Sequence, residues 1–184
     1  MKAVLLARGL GSRMKQPGIE ASLTADQAAA ASAGAKGMMP IGTGMTRPFL
    51  DYVLDALADA GCTRVCLIVA PDHRSIRDYY DGPGTPRRLA MAYAIQPVAD
   101  GTARAVLCAR SFAGGDPFLV LNSDNLYPVP VLRALAGLSG PGLPAFAIDS
   151  LVTESGFPRE RVMGLDRKST RLNSSHVSES RMPS

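Results

Sequence analysis

Tryptophan is missing from the 184-residue chain, and aromatic residues of all kinds make up 5% of it. The hydrophobic share of 46% and the charged share of 20% are those of an ordinary globular domain, so disordered and fibrous classes are excluded. No apolar run is long enough to cross a bilayer. The opening Met1–Ala7 stretch pairs a basic residue with an apolar run, as a secretory leader does. It is too short for that and runs straight into a glycine-rich turn, which fits a buried first strand and a cytoplasmic location. Cysteine is scarce as well. Cys62, Cys66 and Cys108 form no CxxC pair, so core packing in a reducing compartment is expected rather than a metal or disulfide role.

An excess of charge of one sign is also nearly absent from the body of the chain. Of the formal +4, three charges belong to residues 167–184, where Arg167, Lys168, Arg171 and Arg181 stand against Glu179, and one belongs to the rest. A basic face for nucleic acid is therefore not expected. Residues 167–184 have no helical or strand period and are crowded with Ser and Arg. They resemble either a disordered tail or the translated text of a sequencing adaptor. The expected domain is 1–166, with 167–184 set apart from it.

Short apolar runs flanked by turn formers predict strands at Lys2–Ala7, Arg64–Ala70, Leu89–Ile95, Phe118–Asn122 and Ala145–Asp149. Helical patterns lie between them. In Phe49–Ala60 the residues Phe49, Tyr52, Val53 and Leu57 share a face, and Gly61 closes the end. Asp72 can cap a helix running to about Tyr80. Thr102–Phe112 and Val129–Leu138 complete the set. Residues 16–35, rich in Ala, Ser and Gly, read as a mobile or partly helical lid. Alternation of strand and helix predicts a largely parallel sheet covered on both faces, with ligands beyond the carboxyl ends of its strands.

Several segments carry chemistry. In Ala7-Arg8-Gly9-Leu10-Gly11-Ser12-Arg13, two glycines after a buried strand offer backbone N–H groups to an anion, and Arg13 can lay its planar fork on phosphate oxygens. The same residues also suit a plain tight turn. There is no Gly-Lys-Ser/Thr, which excludes a Walker A loop. The third glycine of a dinucleotide fingerprint is missing, and Ala70-Pro71 rather than an acid ends the second strand. Lys36-Gly37-Met38-Met39-Pro40 places an ammonium ahead of an apolar segment, either near phosphates or simply solvated. In Gln96–Ala105 a glutamine at a strand end can pair with a base edge, and Gly101 permits close backbone approach; a loop with a helix start reads equally well. Asp124, in Asn122-Ser123-Asp124-Asn125, ends a buried strand, where it can hold Mg²⁺ or close a turn.

Together with Pro48-Phe49-Leu50-Asp51-Tyr52, these segments resemble in order and spacing the sugar-phosphate nucleotidyltransferases, the family of glucose-1-phosphate uridylyl- and thymidylyltransferases. The likeness covers roughly residues 1–166. It implies a Rossmann-like three-layer α/β/α nucleotide-diphospho-sugar transferase fold, incomplete at the C-terminus. It implies transfer of a nucleotidyl group from an NTP, UTP or dTTP favoured, to a sugar 1-phosphate, with pyrophosphate released. Arg13, Lys36 and Asp124 would be catalytic, with Asp124 on Mg²⁺. Ala7, Gly9, Leu10, Gly11, Ser12, Gln96, Gly101, Thr102 and Asn125 would contact the nucleotide. The implied partners are an NTP and a sugar 1-phosphate, with homo-oligomers common and neither nucleic acid nor membrane involved. The family's sugar-binding half and second metal ligand would fall beyond Asp166. The chain departs from the family pattern where Arg8 replaces a small residue, Ser12 a Thr and Ser123 a Gly, and in the long spacer before Lys36. The alternatives are a nucleotide or nucleotide-sugar binding module without turnover, a transferase using ATP, CTP or GTP, and a dinucleotide-dependent enzyme.

Overall fold

The computed structural model describes residues 1–9, 36–42, 47–155 and 158–160. The expected lid at 16–35 and the tail at 167–184 lie outside the described residues. The chain divides into two units, Met1–Gly142 and Leu143–Ser184.

The first unit is built on a four-stranded parallel sheet. Strand β1 (Lys2–Leu6) is followed by two short strands, β2 (Pro40–Ile41) and β3 (Arg47–Pro48), which pair antiparallel as a separate ribbon. Then come α1 (Phe49–Asp59), β4 (Arg64–Val69), α2 (Arg74–Tyr80), β5 (Ala90–Ile95), α3 (Thr102–Cys108), α4 (Arg110–Ala113), β6 (Phe118–Asn122) and α5 (Val129–Ala136). The order across the sheet is β5-β4-β1-β6. After β1 the chain builds outward through β4 to β5, then returns to the other side of β1 for β6. The direction of winding reverses between β1 and β6, and such a reversal opens a crevice at the carboxyl ends of the strands. Leu6 stands level with Ile68 on one side and Asn122 on the other, so these ends share one rim.

Alternation along the strands sends neighbouring side chains to opposite faces. Ala3 and Leu5 of β1, with Val65, Leu67 and Val69 of β4 and Leu119 and Leu121 of β6, form the larger core against α1, α2 and α5. Val4, Cys66 and Ile68 face the other way and meet Ala105 and Ala109. The small alanines let the chain around α3 sit close on that face. The three layers expected from the alternation are therefore present. Cys62 and Cys66 are buried and unbridged, as core packing requires, and burial pushes the Cys66 thiol up to about 11.

Helix α1 shows how the sequence sets its own limits. Gly61 adopts φ +92°, a left-handed geometry that glycine tolerates. Cys62 N–H then returns to the Leu57 carbonyl at 2.9 Å and Gly61 N–H to Ala58 at 3.0 Å, a Schellman stop. Val53 and Leu57 of the expected face are buried and Phe49 packs against the core, and the buried stripe widens to Leu50 and Leu54, while Tyr52 leaves it. Tyr52 lies instead beneath the Arg47 guanidinium, 4.6 Å from the ring centre. Asp51 accepts from the Tyr80 hydroxyl at 2.8 Å and from Tyr79 at 3.2 Å, which pins α1 to α2.

Other expectations need correction. Asp72 does not cap α2. His73 occupies the cap position without a side-chain bond, and the Asp72 carbonyl accepts the Arg74 N–H in a tight turn. The helix expected over Thr102–Phe112 breaks at Ala109, whose N–H bonds Val106 three residues back and so tightens the ladder. Ala145–Asp149 is not a strand. Residues 141–147 are irregular and a helix, α6 (Ile148–Ser155), begins at Ile148. Ala145, Phe146 and Ala147 are exposed, so the apolar run gains no burial to hold it extended. No helix among the described residues is long and apolar enough to cross a membrane.

Candidate functional site

Three strand ends supply one cleft of about 380 Å³ at the rim of the sheet. Ala7, Arg8 and Gly9 come from the end of β1. Gln96, Ala99, Gly101 and Thr102 follow β5, and Asn122, Ser123 and Asp124 end β6. Parallel pairing brings them together, because each segment leaves the sheet at the same edge.

The β1 end is tied to the β5 end by Arg8. Its Nε donates to the Gln96 carbonyl at 2.7 Å and its Nη2 to the Pro97 carbonyl at 3.1 Å, reaching across β4. Its Nη1 is buried without a partner. An unmet buried donor costs about 1–3 kcal/mol, so this guanidinium holds an unmet demand for an acceptor at the edge of the cleft. Below it, His73 is buried, and its Nδ1 also lacks a partner. Burial pushes the His73 imidazole below its ordinary pKa, and the Arg8 cation adds to this, while Asp72 and a hydrogen bond with the Ala7 backbone pull the other way. His73 is therefore neutral at pH 7.

Gln96 is 5% exposed, and its side-chain amide has defined partners. Nε2 donates to Asp100 Oδ1 at 3.0 Å and to the Gly101 carbonyl at 3.2 Å. Asp100 Oδ2 in turn meets Arg104 Nε at 3.1 Å. Gly101 has φ +108°, which lets its carbonyl turn back to the amide.

At the opposite end, Ser123 is buried and its N–H reaches the Leu6 carbonyl at 3.3 Å, which holds the turn carrying Asp124 against β1. Asp124 is exposed to the cleft. The short 3₁₀ turn Lys36–Met38 packs on this same segment: a Cβ on Gly37 would lie 3.5 Å from the Ser123 carbonyl oxygen. The backbone of Lys36 thus stands beside the strand end that carries Asp124. Among the described residues no group of three or more His, Cys, Asp or Glu gathers to hold a metal, and Asp124 is the one acidic residue among those that line the cleft.

Of the residues singled out in the sequence, Ala7, Gly9, Gln96, Gly101, Thr102 and Asp124 line the cleft together. Asn125 does not line it. Its amide donates to the Tyr127 hydroxyl at 3.2 Å. Leu10, Gly11, Ser12 and Arg13 lie outside the described residues, as does the side chain of Lys36. Sequence reasoning missed Arg8, which it noted as an oddity, and Asp100. The signal for Asp100 was its place four residues after Gln96 across a Pro-to-Gly turn, within reach of that amide.

The chain matches the family model described as nucleotidyl transferase over residues 2–138. It is 32% identical over 81 residues to a glucose-1-phosphate thymidylyltransferase of Xanthomonas campestris, covering 44% of this chain and 28% of that protein. It is 29% identical over 156 residues to the UTP–glucose-1-phosphate uridylyltransferase YngB of Bacillus subtilis, covering 73% of this chain and 47% of that one. Among solved structures it superposes on a UDP-glucose pyrophosphorylase from Acinetobacter baumannii with a TM-score of 0.52 at 27% identity, over 68% of this chain and 46% of the other. The chain therefore spans less than half the length of each of these relatives.

Proposed function

The chain belongs to the nucleotidyl transferase family, and on that premise we propose that its cleft takes an NTP, UTP or dTTP in preference, and passes the nucleotidyl group to a sugar 1-phosphate. The observation that carries this reading is the convergence of the β1, β5 and β6 ends on one crevice at the point where the sheet reverses. Two of the relatives are named for acting on glucose 1-phosphate, one as a uridylyl- and one as a thymidylyltransferase.

A phosphate oxygen of the sugar phosphate attacks the α-phosphorus in line. The new O–P bond forms as the bond to the bridging oxygen breaks, and pyrophosphate leaves with that electron pair. Such transfer needs placement and charge neutralisation rather than a covalent nucleophile. The loop Gly9–Arg13 is assigned to the triphosphate, with Arg13 against the departing pyrophosphate. Lys36 is assigned to the place where the two phosphates meet. Gln96 and Gly101 are assigned to the base. Asp124 suits Mg²⁺, because this ion characteristically takes one or two carboxylates and fills its other positions with phosphate oxygens and water. When bound, the ion would offset negative charge on the reacting phosphates.

A pyrophosphate-release assay tests the proposal, with UTP, dTTP, CTP, GTP and ATP each offered with several sugar 1-phosphates and Mg²⁺. Release that depends on both substrates supports it. Nucleotide binding without release in any pairing contradicts it and favours a binding module instead.

A further inference from the structure

The partners of the Gln96 amide carry a consequence for the choice of base. A glutamine side chain can in principle be turned either way, and only its hydrogen bonds decide which end is NH₂. Here one end of the amide faces Asp100 Oδ1 at 3.0 Å and the Gly101 carbonyl at 3.2 Å. A carboxylate and a carbonyl can only accept, so the end facing them must be the donor. Both N–H groups of that amide have an acceptor within the protein. What Gln96 has left to offer a ligand is Oε1, an acceptor, and Gln96 lines the cleft. Asp100 is itself held in place, with its second oxygen 3.1 Å from Arg104 Nε. Arg8 fixes the same residue from the backbone side, through the Gln96 carbonyl.

We propose that Asp100 is a specificity-determining positioning residue, which locks the Gln96 amide so that the cleft favours bases presenting a ring N–H. Uracil, thymine and guanine carry such an N–H on their pairing edge. Cytosine and adenine carry a bare ring nitrogen there, beside an amino group. A free glutamine could satisfy both atoms of either by using its oxygen and its NH₂ together. A glutamine whose NH₂ is engaged by Asp100 and Gly101 leaves the bare ring nitrogen unmet, and an unmet buried acceptor is penalised. This inference rests on the nucleotide reading above and adds to it the residue that sets the choice of base and the ring N–H by which the choice is made.

The test is equilibrium binding of UTP, CTP, GTP and ATP to the full chain, measured by titration calorimetry. Comparing UTP with CTP and GTP with ATP holds ring size constant within each pair. The wild-type chain is expected to bind UTP over CTP, and GTP over ATP, each by about tenfold or more, the equivalent of one hydrogen bond. Asp100→Asn, which can donate as well as accept, frees the amide to turn over and should narrow both ratios by about fivefold to tenfold. Arg104→Ala should narrow them by a smaller factor, and it carries the test if the first variant proves unfolded by thermal melting. A merely structural role would weaken all four nucleotides alike and leave the ratios unchanged. Unchanged ratios in the folded variants overturn the proposal and leave the nucleotide reading standing; a wild type that favours CTP or ATP overturns the proposal and the UTP or dTTP preference, and leaves only NTP binding standing. A wild type that binds none of the four overturns both.

Discussion

Arg8 stands at a point where the chain leaves the sheet, and its long side chain spends two hydrogen bonds on the backbone of the neighbouring loop. Bonds from a charged donor are worth about 1.5–3 kcal/mol each, but the buried unpaired Nη1 works against them by about 1–3 kcal/mol. Arg8→Ala should therefore destabilise the fold by less than the two bonds alone would suggest, at most about 5 kcal/mol, while hydrogen exchange at Gln96–Thr102 accelerates because the loop has lost its tether. Unchanged exchange there would show that the tether does not order the loop. Asp124 should matter far more to chemistry than to folding. In a version that turns over, Asp124→Ala or Arg13→Ala is expected to lower pyrophosphate release by about two to three orders of magnitude. Near-normal release from either variant would remove its assigned role. His73 predicts a pH effect. Its folded pKa lies below the ordinary 6.5, so between those two values the unfolded chain binds the proton more readily. The stability linked to His73 is thus complete above pH 6.5 and is lost as pH falls below it. Melting temperature should drop less between pH 7.5 and 5.5 in His73→Gln than in the wild type, and equal drops would contradict this.

At the level of elements, legibility followed how local the cause was. The end of α1 could be read because a single glycine makes it, and that gives a direct test. Gly61→Ala must place a side chain at φ +92°, although open space surrounds the position. The cost is conformational, about 1–2 kcal/mol, measurable by denaturant unfolding, and a neutral substitution would mean the stop can relax. Strands β1, β4, β5 and β6 were legible because short apolar runs between turn formers have few other uses. Ala145–Asp149 had the same apolar look but acquires no sheet neighbour among the described residues, and pairing is not written in the run itself. On α1 only Tyr52 was misplaced: an aromatic there looks like core, as Phe49 is, whereas Tyr52 pairs with Arg47 and the stripe takes in Leu50 and Leu54. The α3–α4 break depends on one hydrogen bond at Ala109, which alanine-rich text does not announce.

On the scale of the whole molecule, the site's location was readable and its wiring was not. Alternating strands and helices imply a parallel sheet, a parallel sheet puts all carboxyl ends on one rim, and so Gln96 and Asp124 could be expected to share a cleft with Ala7 and Gly9. The clamps by Arg8 and Asp100 depend on where a flexible side chain lands after folding, and spacing alone does not fix that. The central claim is that this rim receives an NTP, and it can be tested on the chain without turnover. Titrating UTP with Mg²⁺ into the isotopically labelled protein and following backbone amide shifts by NMR should move Ala7–Gly9, Gln96, Ala99–Thr102 and Asn122–Asp124 together, with one saturation curve. Shifts confined to other surfaces, or separate curves for the three strand ends, would contradict it.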